Sequence, residues 1–219
     1  MVKKFLNFVL FSLIFSNLEV GRAQATVSTS QATQEENAVR TFSQKVISLL
    51  KTSSSLPQKI TDFQTLLQNC FDIQAMGRSV LGPHWNQYPD AEKSRYLGLF
   101  LKDIGVCYFN LLKKYYNQEE NPVTIEKSQI LKQEPKTAHV WASIARANGQ
   151  KVSLKFLFIR GKMMEVFVEN VYLMNAKKEE YRSLWRKVTA AHPEKTNQHL
   201  TLFLNKLEEL IQQRPIAAS

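Results

Sequence analysis

The chain has 219 residues, of which 44% are hydrophobic, 11% aromatic and 22% charged. A chain of this length forms one domain or two small ones. Its composition excludes wholesale disorder and collagen-like or low-complexity architectures. The 29 Lys and Arg outnumber the 19 Asp and Glu and give a formal net charge of +10. This basic balance favours an anionic partner, either nucleic acid or a phospholipid surface.

The N-terminus has the form of a secretory signal peptide. Lys3 and Lys4 precede an apolar run over residues 5–15, and an Ala-Gln-Ala cleavage site occupies residues 23–25. The run is shorter than the roughly 20 residues that span a bilayer, although an uncleaved anchor or a buried helix would look similar. We expect a signal peptide at 1–25, whose loss removes three basic residues and one acidic residue and lowers the net charge from +10 to +8. An exported protein meets anionic lipids, so we expect no nucleic-acid partner.

The next segment changes from polar to helical. Residues 26–36 are rich in Ser, Thr, Gln and Glu, and predict a disordered leader. From residue 37 the apolar spacing predicts a helix that ends at the Ser-rich loop 52–55. Pro57 suits the first turn of a second helix, because proline needs no backbone donor there.

Two further helices follow. Asp72 is a candidate N-cap for a short third helix, which Gly82 and Pro83 end. Asp90 lies in the first turn of a long fourth helix, where the helix dipole favours acidic residues. Its apolar stripe consists of Tyr96, Phe100, Ile104, Cys107, Tyr108, Leu111, Leu112 and Tyr115.

After Pro122 the period changes to that of β-strands. Strands are predicted at 123–131, 137–147 and 151–159, with Asn148-Gly149 as a hairpin signal. After a turn at 160–162, a fourth strand is predicted to continue to about 173. We expect one apolar face to carry Val152, Leu154, Phe156, Phe158, Met164, Val166 and Val168.

The order of elements predicts the fold class. Helices are predicted at 176–190 and 193–213, followed by a tail at 214–219. Helices, then an antiparallel meander of about four strands, then helices indicate a single α+β domain over 37–213.

Catalytic and metal-binding motifs are missing from the sequence. The four histidines lack zinc-site spacing, and there is no H-E-x-x-H, G-x-S-x-G, P-loop or G-x-G-x-x-G sequence. We therefore expect no metal, no cofactor and no enzymatic activity. An enzyme that uses an acid or base such as His84, Asp72 or Glu165 stays open as an alternative, because catalytic groups assemble in space.

The two cysteines, Cys70 and Cys107, leave two alternatives open. An even count in an oxidising compartment permits one disulfide. Both residues also lie on apolar helical faces, where a free cysteine acts as a small hydrophobic side chain.

Several motifs together resemble one family. They are FDIQAM at 71–76, VLGPHW at 80–85, the aromatic helix from Tyr96 to Leu112, VENV at 168–171 and YRSLW at 181–185. In this order they resemble the MlaC or toluene-tolerance family of periplasmic phospholipid-binding proteins. The resemblance covers most of residues 35–213.

This sequence also departs from the family pattern. Asn170 stands where the family usually has Gly, Glu165 where Asp is usual, and Met163 and Met164 where a Trp is customary. The segment from 190 to 199 lacks the usual glycines. These departures leave the identity of the lipid open, and a hopanoid-associated branch of the family is an alternative.

The resemblance implies a periplasmic carrier that holds a phospholipid as cargo in an apolar cavity between the helices and a curved sheet. Its implied partners are an inner-membrane ATP-driven lipid transport complex and an outer-membrane lipoprotein complex. A periplasmic adaptor that docks a protein on its apolar face is a further alternative. The lipid-binding candidates are Met76, Val80, Trp85, Phe100, Ile104, Tyr108, Leu154, Phe156, Phe158, Val166, Val168 and Tyr181.

Overall fold

The fold is seen in a computed structural model, which describes residues 29–115, 123–145, 149–169 and 171–216. The predicted signal peptide, Asn148 of the predicted hairpin and the last residues of the predicted tail lie outside these ranges. The helices are α1 (Thr29–Lys51), α2 (Leu56–Cys70), α3 (Ile73–Leu81), α4 (Asp90–Tyr115), α5 (Leu173–Ala191) and α6 (His199–Gln212). The strands are β1 (Thr124–Gln133), β2 (Lys136–Ala145), β3 (Lys151–Ile159), β4 (Lys162–Val168) and β5 (Val171–Tyr172), and short 3-10 helices cover Gly82–Gln87 and Thr196–Gln198.

The predicted α+β architecture is confirmed. Among the described residues, four α-helices precede a curved, unclosed antiparallel sheet with the order β1-β2-β3-β4-β5, and two follow it. The described sheet has five strands instead of about four, because the two residues of β5 pair with the end of β4.

Local sequence signals set several helix ends. The Asp72 carboxylate accepts a hydrogen bond from the Ala75 backbone N at 2.9 Å, so the predicted N-cap of α3 is confirmed. Gly82 ends α3 with a φ of 69°, a left-handed conformation that glycine adopts without strain. Ser55 caps α2 in the same manner, because its hydroxyl oxygen accepts a hydrogen bond from the Gln58 backbone N.

The first helix begins inside the predicted leader, so that prediction is wrong for residues 29–36. Contacts with distant parts of the chain explain why this segment is ordered. Glu35 is only 2% exposed and its carboxylate forms an ion pair with Lys136 of β2 at 2.6 Å. Glu36 accepts a hydrogen bond from the Ser128 hydroxyl of β1, also at 2.6 Å. These contacts extend α1 across the sheet in a segment whose own composition is polar.

A β-bulge changes the predicted face of β4. Phe156 lies opposite Val166 as the alternation predicts, but the register shifts next to Phe158, which lies opposite Met163. Met163 is therefore 1% exposed, and the prediction that Met164 continues the inner face is wrong. The Met163 carbonyl also accepts a hydrogen bond from the Asp72 backbone N, which joins β4 to the start of α3.

The long helix α4 passes from a filled core to a region beneath the sheet. Its N-terminal half packs in an aromatic core, in which the ring centroids of Tyr96 and Phe100 lie 6.0 Å apart, and those of Tyr96 and Tyr181 6.2 Å apart. Phe203 of α6 lies 5.9 Å from Tyr181. Such edge-to-face and offset pairs fill space closely. In the C-terminal half of α4, Phe109 packs against Phe63 of α2 with ring centroids 5.9 Å apart.

Candidate functional site

A cavity lies between the inner face of the sheet and the helices α1, α2 and α4. It encloses about 110 Å³, and its empty space including the open mouth amounts to about 990 Å³. The side chains around it are almost entirely apolar. They are Phe42, Ser43, Val46, Ile47, Leu50, Phe63, Phe71, Tyr108, Leu111, Leu112, Val123, Ile144, Val152, Leu154, Phe156, Val166, Val168 and Leu173.

Two periodicities build the walls. On β3, Val152, Leu154 and Phe156 alternate with polar residues and so share the inner face of the sheet. On α1, Phe42, Val46 and Leu50 are spaced four residues apart and therefore lie along one side of the helix. A helix and a sheet thus present continuous hydrocarbon surfaces to each other across the cavity.

The exposure of the lining residues locates an opening. Five half-buried lining residues lie near the ends of their elements: Ile47 and Leu50 of α1, Leu111 and Leu112 of α4, and Ile144 of β2. Val123, Val166 and Leu173 are also half-buried. The deeper wall is closed, since Phe63 is 1% exposed and Phe156 2% exposed. We call the first five residues the mouth of the cavity.

The lining residues include two hydroxyl groups, those of Ser43 and Tyr108. Within the described part of the chain, the Tyr108 hydroxyl is buried and has no hydrogen-bond partner. Burial raises the pKa of Tyr108 well above 10, and the nearby charge of Glu165 raises it further. The phenol therefore stays protonated and uncharged at neutral pH.

Glu165 fixes the start of α5 beside the cavity. Its carboxylate accepts a hydrogen bond from the Met174 backbone N at 2.7 Å, while the neighbouring Leu173 lines the cavity. Burial raises the pKa of Glu165, although backbone hydrogen bonds and the charges of Lys178 and Lys155 oppose that shift. Its contacts identify Glu165 as an acceptor at a helix start.

A buried ionic cluster joins α4, α5 and the chain after α6. Asp103 is fully buried and accepts hydrogen bonds from Lys177 and from the Tyr181 hydroxyl, each at 2.8 Å. Arg214 binds both Asp103 and Glu180, and Lys177 also binds Glu180 at 2.8 Å. The two acidic and two basic groups balance, as buried charges require.

The structure divides the predicted lipid-binding residues into two groups. Those that line the cavity are Tyr108, Leu154, Phe156, Val166 and Val168. The others are buried but lie elsewhere in the core: Met76, Val80, Trp85, Phe100, Ile104, Phe158 and Tyr181. Lipid contact stays a prediction for all of them. The contribution of α1 to the wall was missed, although the spacing of Phe42 and Val46 could have indicated it.

Each of the residues considered as an acid or base has a structural contact. Asp72 caps α3, Glu165 holds the start of α5, and His84 stacks on Trp185 with ring centroids 4.9 Å apart. Within the described ranges, no cluster of three or more His, Cys, Asp or Glu is placed to hold a metal ion.

Cys70 and Cys107 are both free thiols in this structure. Burial raises the pKa of each thiol, and for Cys107 the charge of Lys177 offsets part of that effect. None of the described helices combines the length and the apolar character needed to cross a membrane.

Comparison with known proteins identifies a family and a fold. The family model described as MlaC protein matches residues 40–201. Among solved structures, the phospholipid-binding protein from Ralstonia solanacearum, determined in complex with a phospholipid, is similar with a TM-score of 0.62 and 13% sequence identity. The similarity covers 83% of this chain and 97% of that chain. No curated protein matches the sequence. At this identity the structural likeness shows a shared fold.

Proposed function

This chain belongs to the MlaC family, and we propose that it is a periplasmic carrier that binds a phospholipid by its acyl chains. We further propose that it shuttles this lipid between an inner-membrane ATP-driven complex and an outer-membrane lipoprotein complex. The observation that carries the proposal is the apolar cavity beneath the sheet. The phospholipid in the structure of the similar Ralstonia protein supports it.

The energy of lipid transfer explains why a carrier needs such a cavity. A diacyl lipid in water exposes about thirty methylene groups at ~0.8 kcal/mol each, a gross cost of roughly 25 kcal/mol. Walls of aliphatic and aromatic side chains remove most of that cost. The cavity of about 110 Å³ is smaller than the roughly 300–1,000 Å³ that ligand pockets occupy, so it must widen to take a lipid.

The enclosed part of the cavity, about 110 Å³, is smaller than two acyl chains. Binding therefore requires side chains of the wall to move outwards as the chains enter. The half-buried residues of the mouth are the least constrained of these, and among them are Leu50 and Leu111. The headgroup then stays at the mouth, in contact with water.

Direct identification of the bound lipid tests the proposal. The mature protein is purified from its own cells without detergent, and its organic extract is analysed by mass spectrometry. We expect close to one phospholipid per chain. A wild-type protein that carries no lipid would refute the proposal, and hopanoid-related lipids in the extract would instead support the alternative branch of the family.

A substitution that fills the cavity tests whether the lipid binds there. Ser43 is a small lining residue, so Ser43→Phe places a benzyl group in the empty space. Ser79 is exposed on α3, and Ser79→Phe is the matched control. We expect S43F to lose most of its lipid and S79F to keep it. Equal lipid content in both variants would show that the cavity is not the binding site.

Transfer between membranes tests the carrier role separately. Vesicles that contain a fluorescent phospholipid serve as donors, and unlabelled vesicles as acceptors. We expect the wild-type protein to accelerate exchange in proportion to its concentration, and S43F to do so weakly. A protein that binds lipid but does not accelerate exchange would contradict the shuttle and leave binding intact.

A further inference from the structure

The buried hydroxyl of Tyr108 has no role in the fold that the structure shows. Tyr108 is 7% exposed and lines the cavity, and no described residue pairs with its hydroxyl. Buried polar groups in native proteins are nearly always hydrogen-bonded, because an unpaired one loses its water without compensation. An unpaired donor in the wall of an otherwise apolar cavity indicates a partner that arrives with the ligand.

The protein itself offers little to satisfy this group. The other lining residues are apolar apart from Ser43, and the nearby Glu165 carboxylate binds the Met174 backbone N and makes no hydrogen bond to the Tyr108 hydroxyl. The phenol is uncharged at neutral pH, so it acts as a neutral donor. It can donate to any oxygen acceptor that a ligand brings to it.

The position of Tyr108 along α4 indicates which ligand atom lies beside it. Tyr108 is buried one helical turn before Leu111 and Leu112, which lie at the mouth. One turn of helix rises about 5.4 Å. In a glycerophospholipid the ester groups join the acyl chains to the glycerol backbone, which also carries the headgroup. With the chains inside and the headgroup in water, the ester groups lie just below the mouth, at the depth of Tyr108.

We propose that the Tyr108 hydroxyl donates a hydrogen bond to an ester carbonyl oxygen of the bound phospholipid. The inference rests on the proposed function and adds a specificity to it. The hydrophobic wall accepts any chain of suitable length, whereas the Tyr108 hydroxyl favours lipids with an ester carbonyl over ether-linked lipids, which lack that oxygen. The same bond sets the depth to which the lipid enters.

The test compares two lipids and three proteins. The lipids are a diacyl phosphatidylglycerol and its dialkyl ether analogue with equal chain lengths. The proteins are delipidated wild type, Tyr108→Phe and Tyr88→Phe. Tyr88 also has a buried hydroxyl without a partner among the described residues, but it does not line the cavity, so Y88F is a matched control.

We expect the wild type and Y88F to bind the ester lipid about three- to tenfold more tightly than the ether lipid, which corresponds to one neutral hydrogen bond. Y108F retains the ring, and we expect it to bind both lipids with equal affinity. An unchanged ester-to-ether ratio in Y108F, or no preference in the wild type, would overturn the inference while lipid binding stands. A wild type that binds neither lipid would overturn the proposed function as well.

Discussion

Replacement of the buried Asp103 by Asn tests whether the ionic cluster that joins α4, α5 and the chain after α6 stabilises the fold. Asp103 is 0% exposed, and D103N removes the charge that Lys177, Tyr181 and Arg214 all contact. Removal of one partner from a buried ion pair typically costs about 3–5 kcal/mol. Because Glu180 still accepts hydrogen bonds from Lys177 and Arg214, we expect a loss near the lower end, about 3 kcal/mol.

The chain provides a matched surface control. Asp90 pairs with Lys93 at 3.0 Å, close to the 2.8 Å between Asp103 and Lys177, but its side chain is 98% exposed. We expect D90N to lower the free energy of unfolding by at most about 1 kcal/mol, since an exposed ion pair and an exposed acid in the first turn of a helix contribute little. Urea denaturation with linear extrapolation measures both variants. Equal unfolding free energies for D103N and D90N would refute the reasoning.

The pH dependence of D103N gives a second check on the same cluster. Burial lowers the pKa of Lys177, but Asp103 and the other acceptors outweigh it, and the net pKa lies above 10.5. A cation whose pKa is raised on folding stabilises the fold below its unfolded pKa and loses that contribution as the pH rises through the folded value. The deficit of D103N should therefore be fully present at pH 7 and become smaller above about pH 10.5.

Two further predictions concern stability around the cavity. A Cβ on Gly98 of α4 would meet nothing within 4 Å, whereas one on Gly105 would lie 2.5 Å from the Gln64 side chain. Because alanine favours a helix more than glycine does, we expect G98A to raise the free energy of unfolding by about 0.5–1 kcal/mol. We expect G105A to lower it, because the Gln64 side chain must move. Opposite signs in urea denaturation confirm this difference, and equal signs contradict it. The raised pKa of Glu165 stabilises the protonated folded state at low pH, and that contribution is lost as the pH rises above 4.5. Because Gln still accepts the bond from Met174 without charge, E165Q should gain stability relative to wild type between pH 4 and 7; a constant difference would exclude this cause.

The sequence predicts the elements of the fold better than their contacts. Local signals are complete within a few residues, which is why the cap at Asp72 and the β-strand alternation on β3 could be predicted. The helical state of residues 29–36 depends on an ion pair between Glu35 and Lys136, about a hundred positions apart. The bulge that buries Met163 instead of Met164 likewise depends on how β4 pairs with β3.

The candidate site was harder to predict, for a related reason. Apolar periodicity shows that a side chain is buried, but it does not show whether the space opposite is filled. Phe100 and Tyr108 lie on the same stripe of α4, yet Phe100 packs against Tyr181 and Tyr108 faces the cavity. The difference arises because Tyr181 of α5 fills the space beside Phe100, whereas the space beside Tyr108 is open. The order of the helices along the chain does not contain that information.

The cavity connects the stability of the protein with the lipid binding proposed for it. An empty apolar cavity of about 110 Å³ costs roughly 2–3 kcal/mol at about 24 cal/mol per Å³. A ring at Ser43 fills the same space, so S43F should be more stable than the lipid-free wild type while binding less lipid. Denaturation of the delipidated proteins measures the first quantity, and S79F controls for the added ring. If S43F lost lipid and stability together, disruption of the fold would explain its lipid loss, and the cavity would not be identified as the place where the acyl chains lie.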